Sequence, residues 1–165
     1  FSDPCSPHLA AERDGLPYDS ISHIKNCADK LLEKHDIVIA EGAGGLLVPI
    51  DREKKLYIID LIKALDFEVI LVAQSGLGTV NDTCLSIEAL QRRGIKIAGF
   101  VFNDWDRKYE DNYIKQDNSK VITEFTGVKY LGGVPYIEDV NKESLLKVFN
   151  GMSELQGLFT NYEKK

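Results

Sequence analysis

Four short, continuously apolar runs alternate with stretches of helical periodicity along this chain. The runs span residues 36–41, 68–73, 97–103 and 129–134. Runs that are apolar at nearly every position are typical of strands buried on both faces of a parallel sheet. Apolar residues at helical spacing fill the intervals, over residues 21–32, 56–65, 80–93, 109–125 and 144–158. The alternation predicts an α/β fold, with a parallel sheet flanked by helices on both faces.

The composition fits one folded domain and excludes several roles. With 165 residues, 44% of them hydrophobic, we expect a single α/β domain over residues 1–165. A net charge of −6 disfavours broad electrostatic binding, so we expect neither nucleic acid nor a membrane as a partner. No apolar run approaches the roughly 18 residues of a membrane span. Three widely separated cysteines favour a reduced, cytoplasmic protein.

A glycine-rich turn with a carboxylate follows the first apolar run. Its residues 41–45 read Glu-Gly-Ala-Gly-Gly, and ligands of parallel sheets bind at the carboxyl ends of strands. The Glu41 carboxylate can hold Mg²⁺ directly or through water, and the small residues let a phosphate approach the backbone. A plain turn with a capping glutamate explains the same residues equally well.

A second glycine-rich turn opens the helix predicted over residues 80–93. Free N–H groups at a helix start bind a carboxylate or a phosphate, and Asn81 adds an amide donor. Thr79 followed three residues later by Asp82 also fits a capping box that needs no ligand. The Asp82 carboxylate competes with an anionic ligand at this position.

The third and fourth runs also end in polar or aromatic residues. Asn103 ends the third run and Asp104 follows it, and an asparagine amide can read the N6 and N7 edge of adenine. A turn-forming Asn-Asp pair is the alternative. Residues 135–137, Pro-Tyr-Ile, either offer backbone groups and an aromatic face to a base or form a simple strand exit.

Taken in order, these motifs resemble dethiobiotin synthetase, a family of the P-loop NTPase superfamily in biotin synthesis. The resemblance rests on SPHLAA at residues 6–11, IAEGAGGLLVP at 39–49, SGLGTVN at 75–81, LSIEAL at 85–90, AGFVFN at 98–103 and LGGVP at 131–135. It implies a P-loop NTPase-like fold and an ATP- and Mg²⁺-dependent cyclo-ligase. CO₂ would add to one amine of 7,8-diaminononanoate, ATP would activate the carbamate, and the second amine would close the ring.

The resemblance also implies a role for individual residues. The Mg²⁺ carboxylate is Glu41. The nucleotide-binding residues are Glu41, Gly42, Ala43, Gly44, Gly45, Asn103, Asp104, Pro135, Tyr136 and Ile137. The substrate-binding residues are Pro7, Gly78, Thr79, Asn81 and Tyr113. In the family the substrate carboxylate is received by the neighbouring subunit, so the resemblance implies a homodimer with sites at its interface.

This sequence departs from the family in two ways. Asp82 stands where histidine is common, which we expect to weaken or re-aim carboxylate binding. The phosphate loop G-x-x-x-x-G-K-[ST] appears nowhere, and the chain starts at Phe1 with Met152 as its only methionine. We therefore expect the carboxyl-terminal portion of a larger domain, lacking an amino-terminal βαβ portion of about 30 residues or more. Such a chain has no catalytic residue of its own and is expected to be inactive alone.

The expected missing strand has a structural consequence. In this fold the strand before the phosphate loop is central in the sheet, so its removal would leave flanking strands with unpaired edges. Two other interpretations remain open at this point. One is a related P-loop amidotransferase-like synthase. The other is a non-catalytic or degenerate homologue that keeps the substrate-binding helix and has lost ATP hydrolysis.

Overall fold

In this computed structural model, the structure describes residues 2–16, 20–104 and 113–160. The chain divides into two compact units, which we call unit 1 (Phe1–Phe67) and unit 2 (Glu68–Lys165). The start of the helix predicted from residue 109 lies outside the described residues. None of the helices in the described part is both long enough and apolar enough to cross a membrane.

The described part of unit 1 combines three helices with a short antiparallel hairpin. Its elements are α1 (Pro7–Asp14), α2 (Ile21–Leu32), β1 (Pro49–Asp51), β2 (Leu56–Tyr57) and α3 (Ile58–Leu65). Ser20 caps α2, because its hydroxyl accepts the His23 N–H at 3.2 Å. The helix predicted from residue 56 starts at Ile58, since the two residues before it pair with β1.

The prediction of a strand over residues 36–41 is wrong. This segment is irregular, and Ile39 is 82% exposed. No strand of the described residues pairs with it. An apolar strand with both edges unpaired neither satisfies its backbone hydrogen bonds nor buries its side chains, so the pattern alone does not make a strand here.

Unit 2 contains a three-stranded parallel sheet in the order β3–β4–β5. Its elements are β3 (Val69–Ala73), α4 (Thr79–Arg92), β4 (Ile97–Asn103), α5 (Tyr113–Thr126), β5 (Tyr130–Val134), α6 (Lys142–Asn150) and α7 (Ser153–Phe159). All three strands lie where the apolar runs predicted them. The strands are parallel and each is followed by a helix, as the alternation predicted.

Helices cover both faces of this sheet. Successive side chains of β4 point to opposite faces, so one strand contributes to two cores. One core contains Ile87, Phe100, Phe102, Ile122 and Val128, and draws on α4 and α5. The other contains Val101, Leu131 and Met152, with residues of α6 and α7 packed against it. The predicted α/β fold class is therefore confirmed.

The single helix predicted over residues 144–158 is instead two helices, α6 and α7. Gly151 ends α6, and Met152 enters the core between the helices with 6% of its surface exposed. Met152 lies against Gly132 of β5, where a Cβ atom would be 3.0 Å from the Met152 Cε. Helical periodicity continues across the break because both helices pack against the same side of the sheet, which hides the break in the sequence.

Candidate functional site

The turn of residues 41–45 belongs to unit 1 and precedes β1. Gly44 has φ +85°, and a Cβ atom there would be 3.1 Å from Val48 Cγ2. A Cβ atom at Gly42 would be equally close to Ile58 Cγ2, so both glycines are needed for packing. At Gly45 no atom of the described residues lies within 4 Å of the Cβ position. The backbone of this turn is therefore open at Gly45, where a ligand can approach.

Glu41 is exposed at the start of this turn. Within the described residues, no group of three or more histidine, cysteine, aspartate or glutamate side chains is arranged to hold a metal ion. Mg²⁺ is usually held by one or two carboxylates together with substrate phosphates and water. A single exposed carboxylate therefore fits a magnesium ion whose remaining ligands come from a bound triphosphate and from water.

The start of α4 differs from the predicted capping box. The N-cap is Gly78, with φ +94°, and Thr79 is the first helical residue. The Thr79 hydroxyl points inward and donates to the Gln74 carbonyl at 2.5 Å. The capping prediction for Thr79 and Asp82 is wrong because the turn requires a left-handed backbone at the cap, which glycine adopts and threonine rarely does.

Asn81 and Asp82 are both exposed at the amino end of α4. The Asn81 amide donates to the Asp82 carboxylate at 3.1 Å. An open cleft of about 260 Å³ lies beside them, lined by Leu71, Val72, Ala73, Gln74, Leu77, Thr79, Asp82, Thr83 and Ser86. A ligand carboxylate at this helix start would therefore meet the Asp82 charge and compete for the Asn81 amide.

A polar cluster joins the carboxyl ends of the three strands in unit 2. Asp104 follows β4, and its carboxylate accepts from the Ser75 hydroxyl and from the Lys115 ammonium group. Its backbone N–H donates to the Val134 carbonyl of β5 at 2.9 Å. The end of β4 is therefore fixed by the loop after β3, by the end of β5 and by α5.

Asn118 of α5 holds the loop that leads from β3 to α4. Its buried amide donates to the carbonyls of Ser75 and Gly76, at 2.9 Å and 3.2 Å. The glycine-rich turn at the start of α4 and the end of β4 thus share one network of hydrogen bonds. Such fully satisfied networks hold a unique arrangement of backbone segments.

Tyr130 lies close to this cluster in β5. Burial and, to a smaller extent, the negative charge of Asp104 together raise the pKa of Tyr130 to about 12. A Cβ atom at Gly133 would be 2.8 Å from the Tyr130 hydroxyl and 3.5 Å from the Lys115 Nζ. The glycine therefore makes room for both polar groups above the end of β5.

The residues predicted to border adenine meet at one edge of the sheet. Asn103 is exposed and pairs in register with Val134, and residues 135–137 follow directly. Pro135 is exposed, whereas Tyr136 and Ile137 are half-buried. Of the predicted nucleotide-binding residues, Asn103, Asp104 and Pro135 are therefore brought together by the pairing of β4 with β5.

The predicted substrate-binding residues are distributed over both units. Pro7 is buried at the first position of α1 in unit 1. Gly78, Thr79 and Asn81 form the start of α4, and Tyr113 begins α5 with 79% of its surface exposed; both helices are in unit 2. Their assignment to substrate binding stays a prediction.

A family model described as an AAA domain matches residues 1–144. The chain belongs to this AAA-domain family. Its three-stranded parallel sheet with flanking helices agrees with a P-loop NTPase-like α/β fold, as the sequence motifs implied.

The AAA-domain chain is also similar to several curated proteins named ATP-dependent dethiobiotin synthetase BioD. It is 40% identical over 146 residues to that of Clostridium perfringens (strain 13 / Type A), covering 88% of this chain and 62% of the relative. It is 38% identical over 148 residues to that of Brachyspira hyodysenteriae, covering 86% and 65%. It is 41% identical over 138 residues to that of Halalkalibacterium halodurans, covering 84% and 55%. The resemblance to dethiobiotin synthetase is confirmed, over less than two thirds of each relative's length.

Sequence reasoning missed three residues of the polar cluster in the AAA-domain chain: Ser75, Lys115 and Asn118. Ser75 lies two residues after the end of β3, and that position near a strand end was a usable signal. Lys115 and Asn118 sit in a helix that is polar over much of its length, and no spacing distinguishes them from solvated residues. Only the pairing of β4 with β5 and the packing of α5 show that they face Asp104 and the turn before α4.

Proposed function

We propose that this chain is the larger part of an ATP-dependent dethiobiotin synthetase, a ligase of biotin biosynthesis. One observation carries the proposal. Asn103, Asp104 and Pro135 meet at the carboxyl edge of a parallel sheet, in a chain 40% identical to a protein named for this activity. Ligands of open α/β sheets bind at that edge, so the geometry supports a nucleotide there.

The proposed reaction consumes 7,8-diaminononanoate, CO₂ and ATP. CO₂ adds to one amine to form a carbamate, and transfer of the γ-phosphate to a carbamate oxygen gives a mixed anhydride. The second amine attacks the activated carbon, phosphate leaves, and the cyclic urea of dethiobiotin forms beside ADP. The protein positions the reactants and stabilises charge, which are the main contributions of proteins to phosphoryl transfer.

In this proposal the nucleotide base is bound by residues of unit 2. The exposed Asn103 amide hydrogen-bonds the adenine edge, which residues 135–137 border. The sequence resemblance assigns the phosphates to the turn of residues 42–45, whose backbone is open at Gly45, and it assigns the magnesium ion to Glu41. Mg²⁺, when bound, neutralises charge on the β- and γ-phosphates.

The start of α4 receives the substrate carboxylate in the proposed enzyme. Gly78, Thr79 and Asn81 contribute from one subunit of a cytoplasmic homodimer to the site of the other, and the sequence resemblance assigns Tyr113 and Pro7 to substrate binding as well. The Thr79 hydroxyl donates to the Gln74 carbonyl and the Thr79 N–H donates to the Gly76 carbonyl, so the carboxylate would be bound by other N–H groups of the first helical turn.

The catalytic lysine of a phosphate loop is proposed to lie outside this sequence. The chain covers 62% of the Clostridium perfringens relative, which leaves room for it. Within the described residues β3 is an outer strand of its sheet, and its unpaired edge is where an additional strand would be added. We propose that the 165-residue chain alone forms no dethiobiotin.

The full-length protein tests this function directly. Purified protein is given 7,8-diaminononanoate, bicarbonate, MgCl₂ and ATP, and dethiobiotin is measured by mass spectrometry. Asn103→Ala is expected to raise the KM for ATP about 10- to 100-fold with little change in kcat, because it removes a bidentate contact to the base. Asn150→Ala, in an exposed residue of α6, is the matched control. Full-length protein that binds ATP but forms no dethiobiotin would favour the non-catalytic homologue instead.

A further inference from the structure

Asp104 is a buried carboxylate that does not face solvent. Its side chain is 3% exposed, and both oxygens are occupied, one by Ser75 and the other by Lys115. A buried charge without partners is costly, so these two donors are what keep the carboxylate in place. A group this enclosed is poorly placed to contact a nucleotide itself.

The fixed position of Asp104 determines the direction in which the side chain of Asn103 points. Side chains of consecutive residues in extended backbone point to opposite sides. The Asp104 side chain points into the cluster and its N–H is bound to Val134, so Asn103 is directed outward, where it is exposed. A change in the backbone at Asp104 would therefore change the direction of the Asn103 side chain as well.

Lys115 is the charged member of this arrangement. It lies in the first turn of α5, and its side chain is only 22% exposed, with the ammonium group on Asp104. Its Nζ also lies over Gly133, next to the Tyr130 hydroxyl. Lys115 thus connects the end of β4 to β5 and α5 at the edge where the base is proposed to bind.

We infer that Lys115 is a positioning residue for base recognition: it holds Asp104 and thereby orients the Asn103 amide toward the nucleotide base. The inference rests on the proposed function, since it assumes that Asn103 reads a purine. Lys115 itself contacts neither base nor phosphate. Its loss should therefore reduce selectivity for the base while leaving phosphate binding unchanged.

The test compares ligands that share a triphosphate but differ in the base. Dissociation constants for ATP, GTP and inorganic tripolyphosphate are measured by calorimetry on the full-length protein with Mg²⁺. Lys115→Met keeps the length of the side chain and removes its charge. It is expected to weaken ATP binding about tenfold, to narrow the ratio of ATP to GTP affinity by a similar factor, and to leave tripolyphosphate within twofold.

Two further variants separate positioning from general stability. Lys115→Arg keeps the charge and is expected to restore most of the ATP preference. Lys129→Met removes a lysine from an exposed ion pair with Glu154, and it should change none of the three affinities. If Lys115→Met does not fold, Ser75→Ala removes the other donor to Asp104 and is expected to shift the ATP to GTP ratio in the same direction by a smaller factor.

The outcomes separate the inference from the proposed function. An unchanged ATP to GTP ratio in folded Lys115→Met overturns the inference alone. An equal loss of ATP and tripolyphosphate binding also overturns it, because Lys115 would then act on the phosphates or on the fold. If the unmodified protein binds tripolyphosphate without preferring ATP over GTP, the proposed adenine site fails and the inference fails with it.

Discussion

Two apolar segments of similar length end in residues suited to ligand binding, yet their surroundings differ. β4 lies between two parallel strands, and the residues after it are fixed by Ser75, Lys115 and Val134. Residues 36–41 have no strand of the described part on either edge, and the turn after them begins with an exposed Glu41. Neighbouring strands, more than the apolar pattern itself, decide whether such a segment becomes a rigid support for a site.

The largest expected difference is in the free energy of unfolding. It is the difference between two isoleucine-to-alanine substitutions, one in the core against β4 and one in residues 36–41. Ile87→Ala, in the core against β4, is expected to lower the free energy of unfolding by about 2–5 kcal/mol, because the side chain is fully buried. Ile39→Ala is expected to change it by less than about 0.5 kcal/mol, because that side chain is mostly exposed. Urea denaturation of the 165-residue chain measures both.

The same two substitutions, Ile87→Ala and Ile39→Ala, can also be compared in the full-length protein. If an additional strand pairs with residues 36–41, Ile39→Ala becomes nearly as costly there as Ile87→Ala. A cost above about 1 kcal/mol for Ile39→Ala in the 165-residue chain would contradict the exposed, unpaired segment described above.

A smaller difference is expected within the turn of residues 41–45. Gly44→Ala should destabilise the chain by about 1–2 kcal/mol, because φ is +85° and the new Cβ atom meets Val48. Gly45→Ala should be neutral to within about 0.5 kcal/mol, because its Cβ position is open. Thermal denaturation distinguishes the two, and equal losses would show that the turn is packed on both sides.

The smallest expected effect is a pH dependence from the polar cluster of unit 2. The raised pKa of Tyr130, about 12, means that the unfolded chain loses this proton first as pH rises. The Tyr130 hydroxyl contributes fully to stability below about pH 10, and this contribution is lost between about pH 10 and 12. It amounts to about 1 kcal/mol after allowance for solvent screening.

Tyr130→Phe should therefore flatten the decline in stability between about pH 10 and pH 12, measured by urea denaturation at each pH. Tyr113→Phe, which changes an exposed side chain, serves as the control and should leave the decline as it is. A decline unaffected by Tyr130→Phe would argue against the buried hydroxyl beside Asp104.

The strands of unit 2 could be predicted from sequence because each apolar run has a neighbour to pair with. The run at residues 36–41 has the same composition, but its pairing partner is not something a local pattern can show. Helix α4 was predictable in extent, whereas its cap was not, since Gly78 and Thr79 both suit a helix start. The break at Met152 was hidden because the apolar spacing of α6 continues into α7.

The residues of the candidate site also fall into those whose position could be predicted from sequence and those whose position could not. The position of Asn103 and of residues 135–137 at strand ends was predictable from the apolar runs, and the pairing of β4 with β5 brings them to one edge, whereas their role in binding stays a prediction. Lys115 was not predictable, because its importance comes from a buried partner eleven residues earlier in the chain. Local patterns indicate which residues end strands, and tertiary contacts decide which residues hold them.

Met152 can serve as an NMR probe of the core of unit 2. It is the only methionine of the sequence, and it is buried against Gly132 with Val101 and Leu131 around it. Labelling with ¹³C-methyl methionine therefore yields one NMR signal from the core of unit 2. Its chemical shift reports how β5 and the helices beside it respond when nucleotide or a variant is introduced.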